Sequence, residues 1–123
     1  MKNVEILDCT LRDGGRLFNC EFSDEMITDV ASRLQESHVD VIEVGFLRDS
    51  NIVQYQGGST FFTELEQIDS LIGNIRKGRF VVFIDYGLYD FSNLKECKNT
   101  SISGIRFGFT HKDIENNKEN VLN

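Results

Sequence analysis

The residues of this chain best suited to chemistry are Arg12, Asp13 and Glu43. Arg12 and Asp13 sit in the string Asp8-Cys9-Thr10-Leu11-Arg12-Asp13-Gly14-Gly15, and Glu43 sits in Val39-Asp40-Val41-Ile42-Glu43-Val44-Gly45-Phe46. A guanidinium is a planar fork that matches a carboxylate bidentately, and part of it can still address a substrate anion. The adjoining Asp13 offers an oxygen ligand to a hard divalent cation. Gly14 and Gly15 let the backbone turn tightly and approach a ligand closely. Glu43 interrupts an apolar run expected to be buried on both faces, so it needs a cation or donors nearby. Adjacent parallel strands lie about 4.8 Å apart, so the loop after a first strand can deliver Arg12 to it. Asp85, at the end of a third apolar run, and Arg106, inside a fourth, are candidates to line a substrate.

Each of these residues also has a plainer explanation. An Arg-Asp pair before two glycines makes an ordinary turn with a surface ion pair. Glu43 could belong to a structural buried ion pair. Asp85 could satisfy backbone donors at a strand end, with Arg106 as its salt-bridge partner.

The elements that must hold these groups follow from hydrophobic spacing. Residues Val4 to Asp8 read as a first strand. Ser23 is placed to cap a helix whose first turn carries Asp24 and Glu25, where negative charge suits the helix dipole. Ile27, Val30, Ala31 and Leu34 give that helix one apolar face. Val39 to Phe46 is a second strand, and residues 51–59, with Gly57-Gly58, read as a loop. Phe61, Leu65, Ile68 and Ile72 form the stripe of a second helix ending near Gly73-Asn74. Phe80 to Ile84 is a third strand, Asp90 caps a short helix carrying Phe91, Leu94 and Cys97, and Ile102 to Phe109 is a fourth strand. A polar helix-like stretch begins at Lys112. Strands alternating with helices predict an α/β fold with a parallel sheet. No G-x-G-x-x-G follows the first strand, which argues against a dinucleotide site. A full (β/α)8 barrel takes about 250 residues, so this is the pace of half a TIM barrel, the first four strands in one domain over residues 1–123. The ends of such strands form the active-site rim, and here those ends are unusually charged.

Composition narrows the classes. The net charge of −7 and the pI near 4.7 leave no electrostatic footprint for nucleic acid. Cys9, Cys20 and Cys97 are odd in number and form no C-x-x-C pair, which argues against a disulfide framework and a structural zinc site. No apolar run approaches the roughly 20 residues of a membrane span, and there is no signal-peptide core. A cytoplasmic setting and a small-molecule substrate are the expectation. The 10 Phe against no Trp and no Pro have no functional account at this level.

Taken together, Leu7-Asp8-Cys9-Thr10-Leu11-Arg12-Asp13-Gly14-Gly15 followed by Val41-Ile42-Glu43-Val44-Gly45-Phe46 resembles the DRE-TIM metallolyase superfamily. That group includes the hydroxymethylglutaryl-CoA lyases, the isopropylmalate and homocitrate synthases and the 4-hydroxy-2-oxovalerate aldolases. The likeness is greatest to the aldolase branch, whose opening motif reads D-x-T-L-R-D-G, and Phe80–Gly87 and Gly104–Phe109 look like that branch's third and fourth strands. The resemblance implies a lyase or aldolase that makes or breaks a carbon–carbon bond through an enolate of a 2-oxo acid, such as pyruvate, or an acyl-CoA. It implies Arg12 as the catalytic arginine at the enolate oxygen and Asp13 as a ligand of divalent Mg²⁺ or Mn²⁺. Glu43 would support the arginine and the metal shell.

Two departures limit what carries over. The bacterial aldolases continue the motif with a histidine that serves as base, whereas this chain has Gly15-Arg16. The family completes its metal site with an H-x-H pair from a late strand, and here only His38 and His111 occur, in no such arrangement. His38 falls at a helix C-terminus, where capping is its expected role, and His111 in the loop after the fourth strand. The chain therefore reads as an N-terminal piece of a longer protein, catalytically incomplete alone. A half barrel would also leave its first and fourth strands as open edges, to be covered by a missing C-terminal half or by a homo-oligomer. The competing reading is a non-catalytic α/β binding module that keeps the motif as structure. A phosphate-binding half barrel lacks the Gly-rich cradle such sites use.

Overall fold

The apolar runs do become parallel strands. The computed structural model describes residues 4–75, 78–94 and 96–122. The strands are β1 (Leu7–Asp8), β2 (Val41–Leu47), β3 (Phe61–Phe62), β4 (Phe80–Asp85) and β5 (Ile102–Gly108). They form one sheet in the order β1-β2-β4-β5, with β3 added to β2, and every pairing is parallel. The helices are α1 (Asp24–Glu36), α2 (Leu65–Ile72) and α3 (His111–Leu122). No described helix is long and apolar enough to cross a membrane.

β1 is shorter than the expected Val4–Asp8: Leu7 and Asp8 pair in register with Val41 and Ile42, the Ile6 carbonyl still accepts from the Val41 amide at 3.0 Å, and the Val4 and Ile6 side chains stay exposed on this edge. Ser23 caps α1 as its type predicts, its hydroxyl accepting from the Met26 amide at 3.1 Å. His38 takes a left-handed conformation (φ 63°) just past α1, and its amide donates to the Gln35 carbonyl at 3.0 Å.

Phe61 does not join the second helix. It pairs with Phe46 in β3, and α2 starts at Leu65 after the Gln67 amide oxygen has accepted from the Thr63 and Glu64 backbones. Tertiary pairing overrides the helical spacing here: the Thr60 carbonyl accepts from the Phe46 amide at 2.9 Å. Gly45 makes that approach possible, since a Cβ there would lie 2.4 Å from the same carbonyl. The short helix after Asp90 is a single 3-10 turn, Phe91–Asn93, capped by the Asp90 side chain accepting from Ser92 at 2.9 Å. A second such turn spans Cys97–Asn99, and the Cys97 side chain lies outside the described residues.

The core lies on one face of the sheet. Ile42, Val44 and Leu47 of β2 and Val82 and Ile84 of β4 pack under Ile27 and Ala31 of α1 and Ile68 and Ile72 of α2. The Thr28 hydroxyl donates to the Leu71 carbonyl at 2.9 Å and ties the two helices together. Full burial of each Ile contributes roughly 1.5–3 kcal/mol. A regular strand would place Glu43 and Phe46 on opposite faces. The β2–β4 register slips between those two residues. Val44 and Leu47 therefore face the helices, and Phe46 turns to the same side as Glu43, against Phe83 at 5.9 Å.

Candidate active-site rim

The loop after β1 is shaped by its backbone. The Cys9 carbonyl accepts from the amides of Arg12, Asp13 and Gly14 at 3.1, 2.8 and 3.1 Å, and the Asp8 carboxylate holds the Thr10 amide at 2.8 Å. Leu11 is driven fully into the core, which directs Arg12 across the opposite face of the sheet. The two glycines differ. Neither has positive φ, and Gly14 has room for a Cβ. At Gly15 a Cβ would lie 2.8 Å from the Phe22 ring and 3.0 Å from the Cys20 sulfur, so close packing excludes any side chain there.

Arg12 and Glu43 meet. The Arg12 Nε donates to Glu43 Oε1 at 2.5 Å, and Arg106 donates from its own guanidinium to Glu43 Oε2 at 2.8 Å. Glu43 has no exposed surface and is clasped by two cations. Register explains the second one. Glu43 pairs with Val81, Val81 pairs with Gly104, and Arg106 stands two residues further along β5 on that face. The Arg12 side chain is 11% exposed and lies over the Phe83 ring at 4.3 Å. Burial alone would lower its pKa, but the hydrogen bond to Glu43 and the charge of that carboxylate outweigh it, and the pKa rises. A cation fixed over an aromatic ring, away from bulk water, is suited to stabilising an oxyanion.

Asp13 joins the same turn but at the surface. Its side chain is 60% exposed, and Oδ1 receives Arg12 at 3.3 Å and Arg16 at 3.0 Å. Asp85 does not pair with Arg106, the partnership the sequence suggests, because Arg48 reaches it first, at 3.1 Å. His111 opens α3 and pairs with Glu115 at 3.0 Å, exposed and within its own helix. Among the described residues no three His, Cys, Asp or Glu side chains gather to hold a metal ion. Asp13 is a lone carboxylate between two guanidiniums. The described donors therefore do not by themselves fit a divalent ion.

Several participants escape the sequence reading. Cys9 faces the cations, 3.7 Å from the Arg106 guanidinium. Burial, then the charge of Glu43, pushes its thiol pKa up. Arg48 directly follows the C-terminal end of β2, so the strand-end rule that singles out Asp85 also points to it. Three of the 10 phenylalanines have an account after all: Phe46, Phe61 and Phe83 lie beneath guanidinium groups along the rim. A cavity of about 350 Å³ beside the start of α2, with Asp49, Glu64 and Tyr89 in its wall, includes none of Arg12, Asp13, Glu43 or Arg106.

Curated proteins similar to this chain are 4-hydroxy-2-oxovalerate aldolases. One from Pelotomaculum thermopropionicum is 31% identical over 108 residues, covering 88% of this chain and 32% of its own length. One from Brevibacillus brevis is 29% identical over 104 residues, covering 85% of this chain and 30% of its own length. One from Geobacillus genomosp. 3 is 26% identical over 103 residues, covering 84% and 31% respectively. The chain thus spans about a third of the length of the curated relatives it matches. No protein-family model matches it, and no solved structure matches it significantly. The resemblance carried by the Arg12-Asp13 and Glu43 strings therefore stands, and it is to the aldolase branch of the metallolyases.

Proposed function

We propose, from the premise that this chain is similar to 4-hydroxy-2-oxovalerate aldolases over most of its length, that it supplies the first four strands of a (β/α)8-barrel carbon–carbon lyase. In this reading its substrate is a 2-oxo acid or an acyl-CoA, and the 123 residues alone are inactive. The observation that carries it is the buried clasp of Glu43 on Arg12. Breaking the carbon–carbon bond of a hydroxy-oxo acid leaves an electron pair that delocalises onto the carbonyl oxygen as an enolate. Arg12, held rigid by Glu43 and by the Phe83 ring, stabilises the negative charge on that oxygen. Such a preorganised donor is worth about 100- to 1,000-fold in kcat.

The family's metal would supply Lewis-acid chemistry at the same carbonyl. Among the described residues Asp13 is the ligand this chain would offer it, and the rest would come from outside them. Mn²⁺ or Mg²⁺ should therefore leave the melting temperature of the isolated chain unchanged. The same ions should raise that of a full-length protein containing it, and Asp13→Ala should abolish the rise.

The deciding experiment grafts residues 1–123 in place of the matching third of the Pelotomaculum thermopropionicum protein and follows pyruvate release from 4-hydroxy-2-oxo acids. The expected result is a folded chimera whose turnover falls about 100-fold or more in Arg12→Gln. Turnover that is indifferent to Arg12, or a folded chimera inert to every 2-oxo acid and acyl-CoA tried, would leave a binding module as the better description.

A further inference from the structure

Two cations of the rim take no part in clasping Glu43. Arg16 lies in the turn beyond Asp13, half-exposed, with its guanidinium centre 5.3 Å from the centroid of the Phe46 ring. Arg48 lies 4.8 Å from the same centroid and 4.6 Å from that of Phe61. The two charged groups share one ring, so their centres are separated by at most about twice the longer of those distances. Arg12 also lies over this ring, at 5.7 Å. Burial raises the pKa of the Cys20 thiol, and the charges of Arg48, Arg16 and Arg12 oppose that rise.

The side chain of Arg48 is only 20% exposed, and one donor of its fork is spent on Asp85. Its Nε is buried and has no acceptor among the described residues. Native proteins rarely leave a charged donor buried and unanswered, and such a group marks a missing partner. That partner must be an acceptor. The setting favours an anion, since Arg12, Arg16, Arg48 and Arg106 here meet Asp13, Glu43 and Asp85, a local positive excess on a chain of net charge −7. Planar guanidiniums held near aromatic rings are shaped for a carboxylate.

We propose that Arg16 and Arg48, held on Phe46, bind a second carboxylate of the substrate, so that the enzyme acts on a dicarboxylic oxo acid. The inference rests on the aldolase reading above and names its substrate class. Arg12 addresses the reacting end, and the two further arginines hold the far end of the same molecule.

The test uses the 123-residue chain and measures binding of acetate, malonate, succinate and glutarate by calorimetry, with the arginine Nε–H signals followed by NMR. The best diacid should bind at least tenfold more tightly than acetate and shift the Arg48 Nε–H signal. Arg48→Gln or Arg16→Gln should each bring the ratio of diacid to acetate affinity to about two or below. Arg16 is exposed, so its variant stays informative if Arg48→Gln fails to fold. A diacid no tighter than acetate, or a preference that survives both substitutions, overturns the proposal. The aldolase reading fails separately, when the chimera shows no turnover that depends on Arg12, which monocarboxylic 2-oxo acids also report.

Discussion

The two faces of the sheet are held by different physics. On the helix side Ile42, Val44, Leu47, Val82 and Ile84 interlock with Ile27, Ala31, Ile68 and Ile72, and no charged side chain belongs to that cluster. On the other side Glu43, Phe46, Phe83 and Arg106 share a surface that the two helices do not cover, and the cover comes from arginines lying across rings. Apolar packing tolerates sliding, because its attraction has no direction. A buried carboxylate between two guanidiniums does not, because each bond is directional and each unmet charge is expensive. One face gives the fold its stability, and the other fixes where charges stand.

Removing bulk from the helix side should have the largest effect. Ile68→Ala is expected to cost about 3–4 kcal/mol through lost transfer energy and the cavity left behind, read from the denaturant midpoint. On the opposite face Glu43→Gln should cost about 2–3 kcal/mol, since a neutral amide keeps the shape but leaves two guanidiniums without their counter-charge. A sharper form replaces Arg12, Glu43 and Arg106 together by Met, Leu and Met. That triple change should destabilise less than Glu43→Gln alone, as apolar replacements of buried ion clusters commonly do. If Glu43→Gln proves costlier than Ile68→Ala, the division of labour between the faces is wrong.

The smallest effect expected is a pH dependence. The Cys9 thiol is raised by burial and then by the Glu43 charge, and that of Cys20 by burial. A raised thiol holds its proton more tightly in the folded chain than in the unfolded one. Its contribution is therefore complete below the ordinary thiol range and is lost as pH rises from that range through the raised folded value. Unfolding at about pH 10 should therefore need less denaturant than at neutral pH. The difference should shrink in Cys9→Ser, whose hydroxyl does not titrate there. A thiol at position 9 that alkylates readily at neutral pH would contradict the shift.

Much of the helix side is legible in the sequence, because it depends on spacing alone. The stripe through Ile27 and Ala31, the cap at Ser23 and the apolar strands need only local rules. The meeting of Arg12 with Glu43 is legible too, because a carboxylate in a doubly buried strand demands a cation. What resists reading is non-local. Phe61 has helical spacing yet pairs as a strand, since Gly45 opens a place for it across the chain. Arg106 serves Glu43 and leaves Asp85 to Arg48, a choice set by a register that neighbours in sequence do not reveal. The slip in β2 that turns Phe46 toward the charges has no local signature either.

The contact of Gly15 with Phe22 and Cys20 joins these two worlds at a point. The turn bearing Arg12 leans its bare backbone against the hydrophobic interior, so even one methyl there would act as a wedge. It would tilt the guanidinium out of Glu43's reach while barely disturbing the helices. Gly15→Ala should thus yield a chain that still melts cooperatively but has lost its aim.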